Sequence, residues 1–151
     1  VMHRLDFEHT TPEQWDGILD LNLRSVFFCC QGAAPALREA RGKVVNLADL
    51  GGLQPWPGFA AHSVSKAGVV MLTKVLARAF APAVTVNAIA PGAVLVPEEY
   101  DEAERDRLAR STPLGRLGSP ADAVAALLYL LEGGDFVTGE VIAVDGGRLL
   151  R

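Results

Sequence analysis

Cysteine is scarce in this chain, and its two cysteines, Cys29 and Cys30, stand next to each other. Adjacent cysteines rarely pair and two make no disulfide framework, so we expect a reducing, cytoplasmic environment. No apolar run reaches the roughly 18 residues that a membrane-spanning helix needs. The three histidines, His3, His9 and His62, show no metal-ligand spacing. We therefore expect no membrane span, no disulfide scaffold and no metal site.

Positive charge is also limited. The chain has 14 Lys and Arg residues against 18 Asp and Glu residues, which gives a formal net charge of −4 without a basic cluster. Nucleic acids and anionic membranes therefore have little to attract them, and we expect neither as a partner. With 151 residues, of which 50% are hydrophobic and 21% charged, the composition is that of one globular domain rather than a disordered chain.

What remains is a pattern of alternating helices and strands. Thr11, with Gln14 three positions later, predicts a capped helix start. Apolar residues at helical spacing continue this first helix, and Pro35 is expected to bend it or to end it early. A second long helix is predicted for residues 60–81. Its predicted buried face consists of Val64, Gly68, Met71, Leu72, Val75 and Ala79.

Three short β-rich segments, at residues 43–48, 84–90 and 141–144, are predicted to be strands. Two shorter helices are predicted, one at residues 100–110 and one that begins after a cap at Ser119. Strands separated by helices of this length pair in parallel through right-handed crossovers. The strands are apolar on both faces, which is typical of a sheet covered by helices on both sides. The predicted fold class is therefore α/β, doubly wound.

The number of strands is small for such a fold. A doubly wound dinucleotide-binding sheet has about six strands in two halves, and neither a second half nor a G-x-G-x-x-G turn is visible here. We therefore expect residues 1–151 to be the C-terminal half of a larger NAD(P)-binding Rossmann-type domain, the alternative being a small complete α/β domain. If these residues act alone, the apolar edge of the first strand should favour aggregation, and NADP(H) should not bind with useful affinity.

Several polar residues interrupt the apolar pattern. Asn22 lies on the apolar stripe of the first helix, and Asp49 follows the first strand, at the sheet edge where parallel sheets bind ligands. His62 and Lys66, four residues apart, share one face of the second long helix. The Pro-Gly pair at 91–92 ends the second strand and allows a ligand to approach the backbone closely. Each feature also has a plain structural interpretation, as a satisfied core amide, a turn cap, a surface pair or a simple turn.

These segments, in this order, resemble the second half of the classical short-chain dehydrogenase/reductase family. The resemblance covers nearly the whole chain and rests on the segments WDGILDLNLRSVFF, GKVVNLADLGG, HSVSKAGVVMLTKVLA, VTVNAIAPGAV and VTGEVIAVDGG. It implies a one-domain Rossmann fold and hydride transfer between NADP (or NAD) and an alcohol, ketone, imine or enone.

The resemblance also assigns positions to a site. The catalytic positions that it implies are Asn22, Asp49, His62 and Lys66. The cofactor-binding positions that it implies are His62, Lys66, Pro91, Gly92 and Val94. It further implies a small-molecule substrate and a homo-tetramer or homo-dimer built through the long helices.

Two of the four catalytic positions depart from the family's pattern. Asp49 stands where the family has Ser, and His62 stands where it has Tyr, whereas Asn22 and Lys66 match. In addition, Val96 replaces a Thr that often follows the Pro-Gly pair. Asp in place of Ser, together with the segment PGAVLVPEE, resembles the pteridine reductase branch, which nevertheless keeps the Tyr. The nearest branch is therefore one that reduces pterin-like rings with NADPH.

An imidazole can replace the family's Tyr as proton donor, because its reference pKa of about 6.5 already lies near neutrality. We expect the imidazolium of His62 to donate the proton while Asp49 keeps the ring charged and oriented. Lys66 would then bind the ribose hydroxyls of the nicotinamide nucleotide, and Asn22 would hold a water molecule, as the resemblance implies.

Two other functions remain open. The loss of both Ser and Tyr is also what a non-enzymatic relative, retained for binding or oligomerisation, would show. The third possibility is a hydrolase triad of Asp49, His62 and either Ser63 or Ser65. Both serines lie on the same predicted helix as His62, which is a poor geometry for attack, and the sequence has no G-x-S-x-G elbow.

Overall fold

Three parallel strands in the order β1-β2-β3 form one sheet in the computed structural model, which describes residues 2–150. The strands are Lys43–Leu47 (β1), Thr85–Pro91 (β2) and Val141–Val144 (β3). Lys43 lies opposite Thr85, and Ala88 lies opposite Val141. The prediction of a parallel α/β sheet built from these three segments is confirmed, with shifts of one residue at the ends of β1 and β2.

Helices connect the strands and cover the sheet. In residues 2–150 the α-helices are Pro12–Leu19 (α1), Ser25–Glu39 (α2), Ala60–Phe80 (α3), Glu102–Arg110 (α4) and Pro120–Leu128 (α5). Capping boxes begin α1 at Thr11 and α5 at Ser119, because each cap and the residue three positions later bond to each other's backbone N–H groups. Both predicted helix starts are thereby confirmed.

The first predicted helix is interrupted by a π-helical turn, Asp20–Arg24, which joins α1 to α2. The expectation that Pro35 ends this helix early was wrong, because α2 continues to Glu39. Pro35 and Gln31 both lie on the exposed side of α2, where water can solvate the carbonyl that the proline leaves without a donor.

The predicted buried face of α3 was also wrong at most of its positions, although Leu72 packs against the core and Gly68 against Leu23. Val64, Met71 and Val75 expose about half of their surface (49%, 58% and 53%). The side chains that α3 buries are Ala61, His62, Ser65, Val69, Thr73, Leu76, Ala77 and Phe80. Polar residues occupy three of these positions and find hydrogen-bond partners inside the protein, so apolar periodicity alone pointed to the neighbouring face.

Strand β2 lies at the centre of the core. Five of its residues (Val86, Asn87, Ala88, Ile89 and Ala90) expose at most 2% of their surface. By contrast Leu47, at the end of β1, exposes 61%. Within the described residues no helix is both long and apolar enough to cross a membrane, and no cluster of three or more His, Cys, Asp or Glu side chains is placed to hold a metal ion. Both cysteines are free thiols.

Candidate active site

The four predicted catalytic residues converge at the carboxyl end of β1. Nε2 of His62 lies 3.3 Å from Oδ1 of Asp49. The Asn22 amide approaches the other ring nitrogen of His62, and Nζ of Lys66 donates to the carbonyl oxygen of Leu47, the last residue of β1, at 2.8 Å. Segments far apart in the sequence thus supply one cluster of carboxylate, imidazole, amide and ammonium groups.

Asp49 is held by the turn that follows it. Its Oδ1 accepts a hydrogen bond of 2.7 Å from the backbone N–H of Gly51, so the carboxylate caps the short helical turn Leu50–Gly52. The same oxygen faces His62. The side chain keeps 26% of its surface exposed, which leaves it accessible to a ligand while the backbone fixes its direction.

His62 is buried behind Asp49. Only 4% of its surface is exposed, and the ring of Trp56 stacks over the imidazole with centroids 6.2 Å apart and planes 11° from parallel. Nδ1 of His62 accepts from the Asn22 amide at 3.5 Å. Because the amide nitrogen of Asn22 can only donate, Nδ1 is the acceptor in this contact, and Nε2 is the ring nitrogen that lies close to the Asp49 carboxylate.

Asn22 is delivered by the π-helical turn and is itself buried, with 6% of its surface exposed. Its amide nitrogen also donates to Oγ of Ser65 at 3.1 Å, and Ser65 Oγ in turn donates to the carbonyl oxygen of His62 at 2.7 Å. This chain of hydrogen bonds joins the π turn to the first turns of α3. The amide of Asn22 is thus satisfied inside the protein and supports the first turn of α3, which carries His62.

Lys66 lies half-buried on α3. Burial lowers the pKa of its ammonium group, and the negative charge of Asp49 offsets part of this effect by raising it. A cation with reduced hydration, held at the end of β1 by the Leu47 carbonyl, is well suited to bind hydroxyl groups of a ligand at this edge of the sheet.

A cavity of about 550 Å³ opens at the same edge of the sheet. Asp49, Trp56, Pro91 and Gly92 line it, together with Arg4, Arg148 and mainly apolar side chains. His62 is separated from it by Asp49 and Trp56. The volume of this cavity is typical of sites that bind small molecules.

Residues 2–148 match the family model described as enoyl-(acyl carrier protein) reductase. The chain belongs to the short-chain dehydrogenase/reductase family. Among its relatives, 3β-hydroxysteroid dehydrogenase 1 of Eggerthella lenta is 40% identical over 146 residues, which cover 91% of this chain and 56% of that protein. The 3-oxoacyl-[acyl-carrier-protein] reductase FabG of Thermotoga maritima is 35% identical over 143 residues, which cover 91% of this chain and 58% of that protein. The chain thus spans a little over half the length of these curated relatives.

Solved structures of short-chain dehydrogenases share this fold. The gluconate 5-dehydrogenase of Burkholderia cenocepacia, in complex with NADP and tartrate, is 27% identical with a TM-score of 0.92, and the match covers 100% of this chain and 62% of that one. The short-chain dehydrogenase of Leptospira borgpetersenii with bound NAD⁺ is 27% identical with a TM-score of 0.88, and the match covers 98% and 61%. The predicted family and fold are therefore confirmed.

The site of this family member differs in part from the sequence-based expectation. Asp49, Pro91 and Gly92 line one cavity, as does Val96, whereas Val94 lines two neighbouring cavities. Two participants were missed. Ser65 was considered only as a nucleophile, although its place three residues after His62 puts it on the same side of α3. Trp56 lies in a loop rich in proline and glycine, where periodicity carries no information about direction.

Proposed function

We propose that the protein that contains this chain is an NADP- or NAD-dependent oxidoreductase, which transfers a hydride between the nicotinamide and a C=O or C=N bond of a small molecule. The observation that carries this proposal is the pair of Asp49 and His62, 3.3 Å apart, with the carboxylate lining the cavity. In this family that position calls for a group able to exchange a proton with the substrate.

The residues at this edge fit the nicotinamide end of the cofactor. Pro91 and Gly92 present backbone rather than bulk to the cavity, and the ammonium of Lys66 can donate to ribose hydroxyls. The cofactor, when bound, supplies or accepts the hydride. Residues 2–150 contain no glycine-rich turn for its pyrophosphate, so we further propose that they form the C-terminal half of the cofactor-binding domain.

Reduction also requires one proton for each hydride. Before reduction the pair of Asp49 and His62 must hold one additional proton, as imidazolium facing carboxylate or as imidazole facing a carboxylic acid. Because Asp49 and not the buried His62 lines the cavity, we propose that the proton reaches the substrate oxygen or nitrogen through the Asp49 carboxyl group. His62 thus replaces the family's Tyr as a partner of the acid rather than as the donor in contact with substrate.

The test is NADPH oxidation by the full-length protein with a panel of ketones and imines. General acid catalysis contributes about 10² to 10⁴ in rate, so Asp49→Asn and His62→Gln should each reduce turnover by about that factor. His9→Gln is the matched control, because His9 forms an exposed pair with Asp6 at 3.1 Å and should not affect the rate.

Two outcomes would contradict the proposal. A His62→Gln variant with the wild-type rate would remove His62 from the mechanism. Tight NADPH binding by the wild-type protein without turnover on any member of the panel would instead favour a non-enzymatic relative.

A pterin-like ring is the narrower substrate that we propose to include in this panel. Its support is the carboxylate at position 49 and the aromatic faces of Trp56 and Phe59 in the cavity wall. Steady reduction of a dihydropteridine, lost in Asp49→Asn, is the expected result. If the protein reduces simple ketones well but does not reduce pterins, the pterin substrate is rejected and the proposed oxidoreductase activity stands.

We also propose that the protein is a homo-oligomer. The supporting observation is the row of exposed apolar side chains on α3, Val64, Met71 and Val75. Single exposed apolar residues are ordinary, but a row along one helix is typical of an interface. Light scattering after size exclusion should show a dimer or tetramer that Met71→Glu dissociates, and a monomeric wild-type protein would contradict this assembly.

A further inference from the structure

We propose that the substrate carries an anionic group, which Arg148 and Arg4 bind in the wall of the cavity that Asp49 also lines. This inference rests on the proposed oxidoreductase function and narrows its substrate class. The charged residues in the wall of the cavity are Asp49 and these two arginines. Asp49 already faces His62 and the Gly51 N–H, so the arginines are the groups left to recognise a ligand charge.

Neither arginine is engaged by a carboxylate in the described part of the chain. The ion pairs found there involve other basic residues. The acid nearest to Arg148 in sequence, Asp145, accepts from the backbone N–H groups of Gly147 and Leu149 at 2.8 Å each. A guanidinium that lines a cavity without an internal acid is suited to pair with a carboxylate or a phosphate, which it can bind through two parallel hydrogen bonds.

Both arginines are attached to ordered backbone. The segment of Arg4 is tied to the cavity wall because Leu5 N–H donates to the Gly58 carbonyl at 3.1 Å. Arg148 begins a single helical turn, Arg148–Leu150, which follows β3 after the three residues 145–147. Its place after a strand of the central sheet limits how far the guanidinium can move from the cavity.

The remaining wall is apolar and aromatic, so the charge would belong to a hydrophobic molecule. Trp56, Phe59 and Tyr100 line it, and the loop that carries Tyr100 is anchored from outside the cavity. Arg105 donates to the carbonyl oxygens of Tyr100 at 3.1 Å and Pro97 at 3.2 Å. The expected substrate is thus a ring or chain with a carbonyl at one end and a negative charge at the other.

Three ligands that share an aryl methyl ketone test the inference: 4-acetylbenzoate, its methyl ester, and 4-acetylphenyl phosphate. Calorimetric binding to the full-length protein with NADP⁺ needs no turnover. One charge-assisted contact should favour an anion over the neutral ester by about ten- to a hundredfold. Arg148→Gln should reduce that preference by at least about tenfold, and Arg4→Gln should reduce it further, whereas Arg148→Lys should retain part of it. Arg107→Gln, on the exposed side of α4, is the matched control and should leave it unchanged.

The arms separate the possible results. If only the carboxylate or only the phosphate binds more tightly than the ester, that result identifies the anion. Either result supports the inference. Equal affinity for the ester and the anions, or a preference that survives Arg148→Gln together with Arg4→Gln, overturns it. If the anions bind in an arginine-dependent manner and no ketone is ever reduced, the inference stands and the oxidoreductase function fails.

Discussion

A β-carbon on Gly52 would lie 2.6 Å from the carbonyl carbon of Lys66. The loop that carries Asp49 therefore packs directly on the backbone of α3, which carries His62 and Lys66. Two backbone segments can approach so closely only where a side chain is missing. This contact sets the separation between the carboxylate and the imidazole.

Gly52→Ala should accordingly damage both stability and the site. The added methyl group meets main-chain atoms that cannot rotate away, so the loop must move away from α3 at a cost of about 1–3 kcal/mol. Urea unfolding and NADPH turnover should both decline. Gly32→Ala is the control, because nothing lies within 4 Å of its added methyl group and alanine favours the exposed helix α2 by up to about 1 kcal/mol. Wild-type stability in Gly52→Ala would show that the loop can shift freely.

The rate of reduction should fall as pH rises. Reduction requires one proton with each hydride, which the proposed function routes through Asp49 and His62, and general acid catalysis slows as protons become scarcer. Oxidation of the product alcohol should show the opposite trend. The measurement is kcat/KM against pH in both directions. His62→Gln should lose this dependence and His9→Gln should keep it, whereas a profile independent of pH in the wild-type protein would argue against proton transfer by the pair.

Arg116 and Asp122 form an ion pair beside the start of α5. Two guanidinium nitrogens of Arg116 donate to the Asp122 carboxylate, at 2.8 and 3.0 Å. The hydrogen bonds from Arg116, and then those from Ser119, hold the pKa of the Asp122 carboxyl well below its usual range. A folded-state pKa below the unfolded value means that the stabilisation is present above the unfolded pKa and is lost as pH falls through the folded one. Arg116→Gln should therefore raise the pKa of Asp122 in a carboxyl NMR titration. Arg24→Gln, which removes a separate ion pair with Asp20, should not.

Thr73 joins α3 to β1 through a buried hydrogen bond. Its Oγ1 accepts from Nδ2 of Asn46 at 2.9 Å and donates to the Val69 carbonyl at 2.8 Å. Thr73→Val leaves the amide of Asn46 without this acceptor and should cost about 1–3 kcal/mol in urea unfolding. The control is Thr85→Val, since the buried Oγ1 of Thr85 has no hydrogen-bond partner within residues 2–150 and its loss should be neutral or stabilising. Equal effects of the two substitutions would deny the importance of the bond.

Residues 1–151 alone should bind NADP(H) only weakly. On the proposed function the nicotinamide end would meet Lys66, Pro91 and Gly92, but no glycine-rich turn in the described residues can hold the pyrophosphate. Calorimetric titration of this chain with NADPH should therefore show no micromolar binding. Micromolar affinity would mean that this half of the cofactor site suffices.

Local signals were enough to predict the strands and the capped helix starts. The strands are short β-rich runs, and the caps at Thr11 and Ser119 are defined by residues three positions apart. The meeting of Asp49 with His62 was also predictable, because parallel strands end at one edge of the sheet.

The remaining features depend on tertiary contacts. Asn22 and Thr73 are buried because each finds a polar partner on another element, Ser65 and Asn46 respectively, and hydropathy cannot show such pairing. His62 was expected to donate a proton to the substrate, and the neighbouring cavity is lined by Asp49 and Trp56, which both contact the imidazole. The orientation of that loop is decided by packing rather than by local sequence.

The π-helical turn Asp20–Arg24 holds one residue more than an ordinary helical turn. Removing a single amino acid there would restore an uninterrupted helix and rotate everything on one side of the deletion by about 100° relative to the other. Leu23, which lies against Gly68, and the amide of Asn22 could then no longer both keep their places. The length of this segment is therefore constrained together with its side chains, and a variant of this protein shortened here by one residue would have to support the His62 imidazole from another part of the fold.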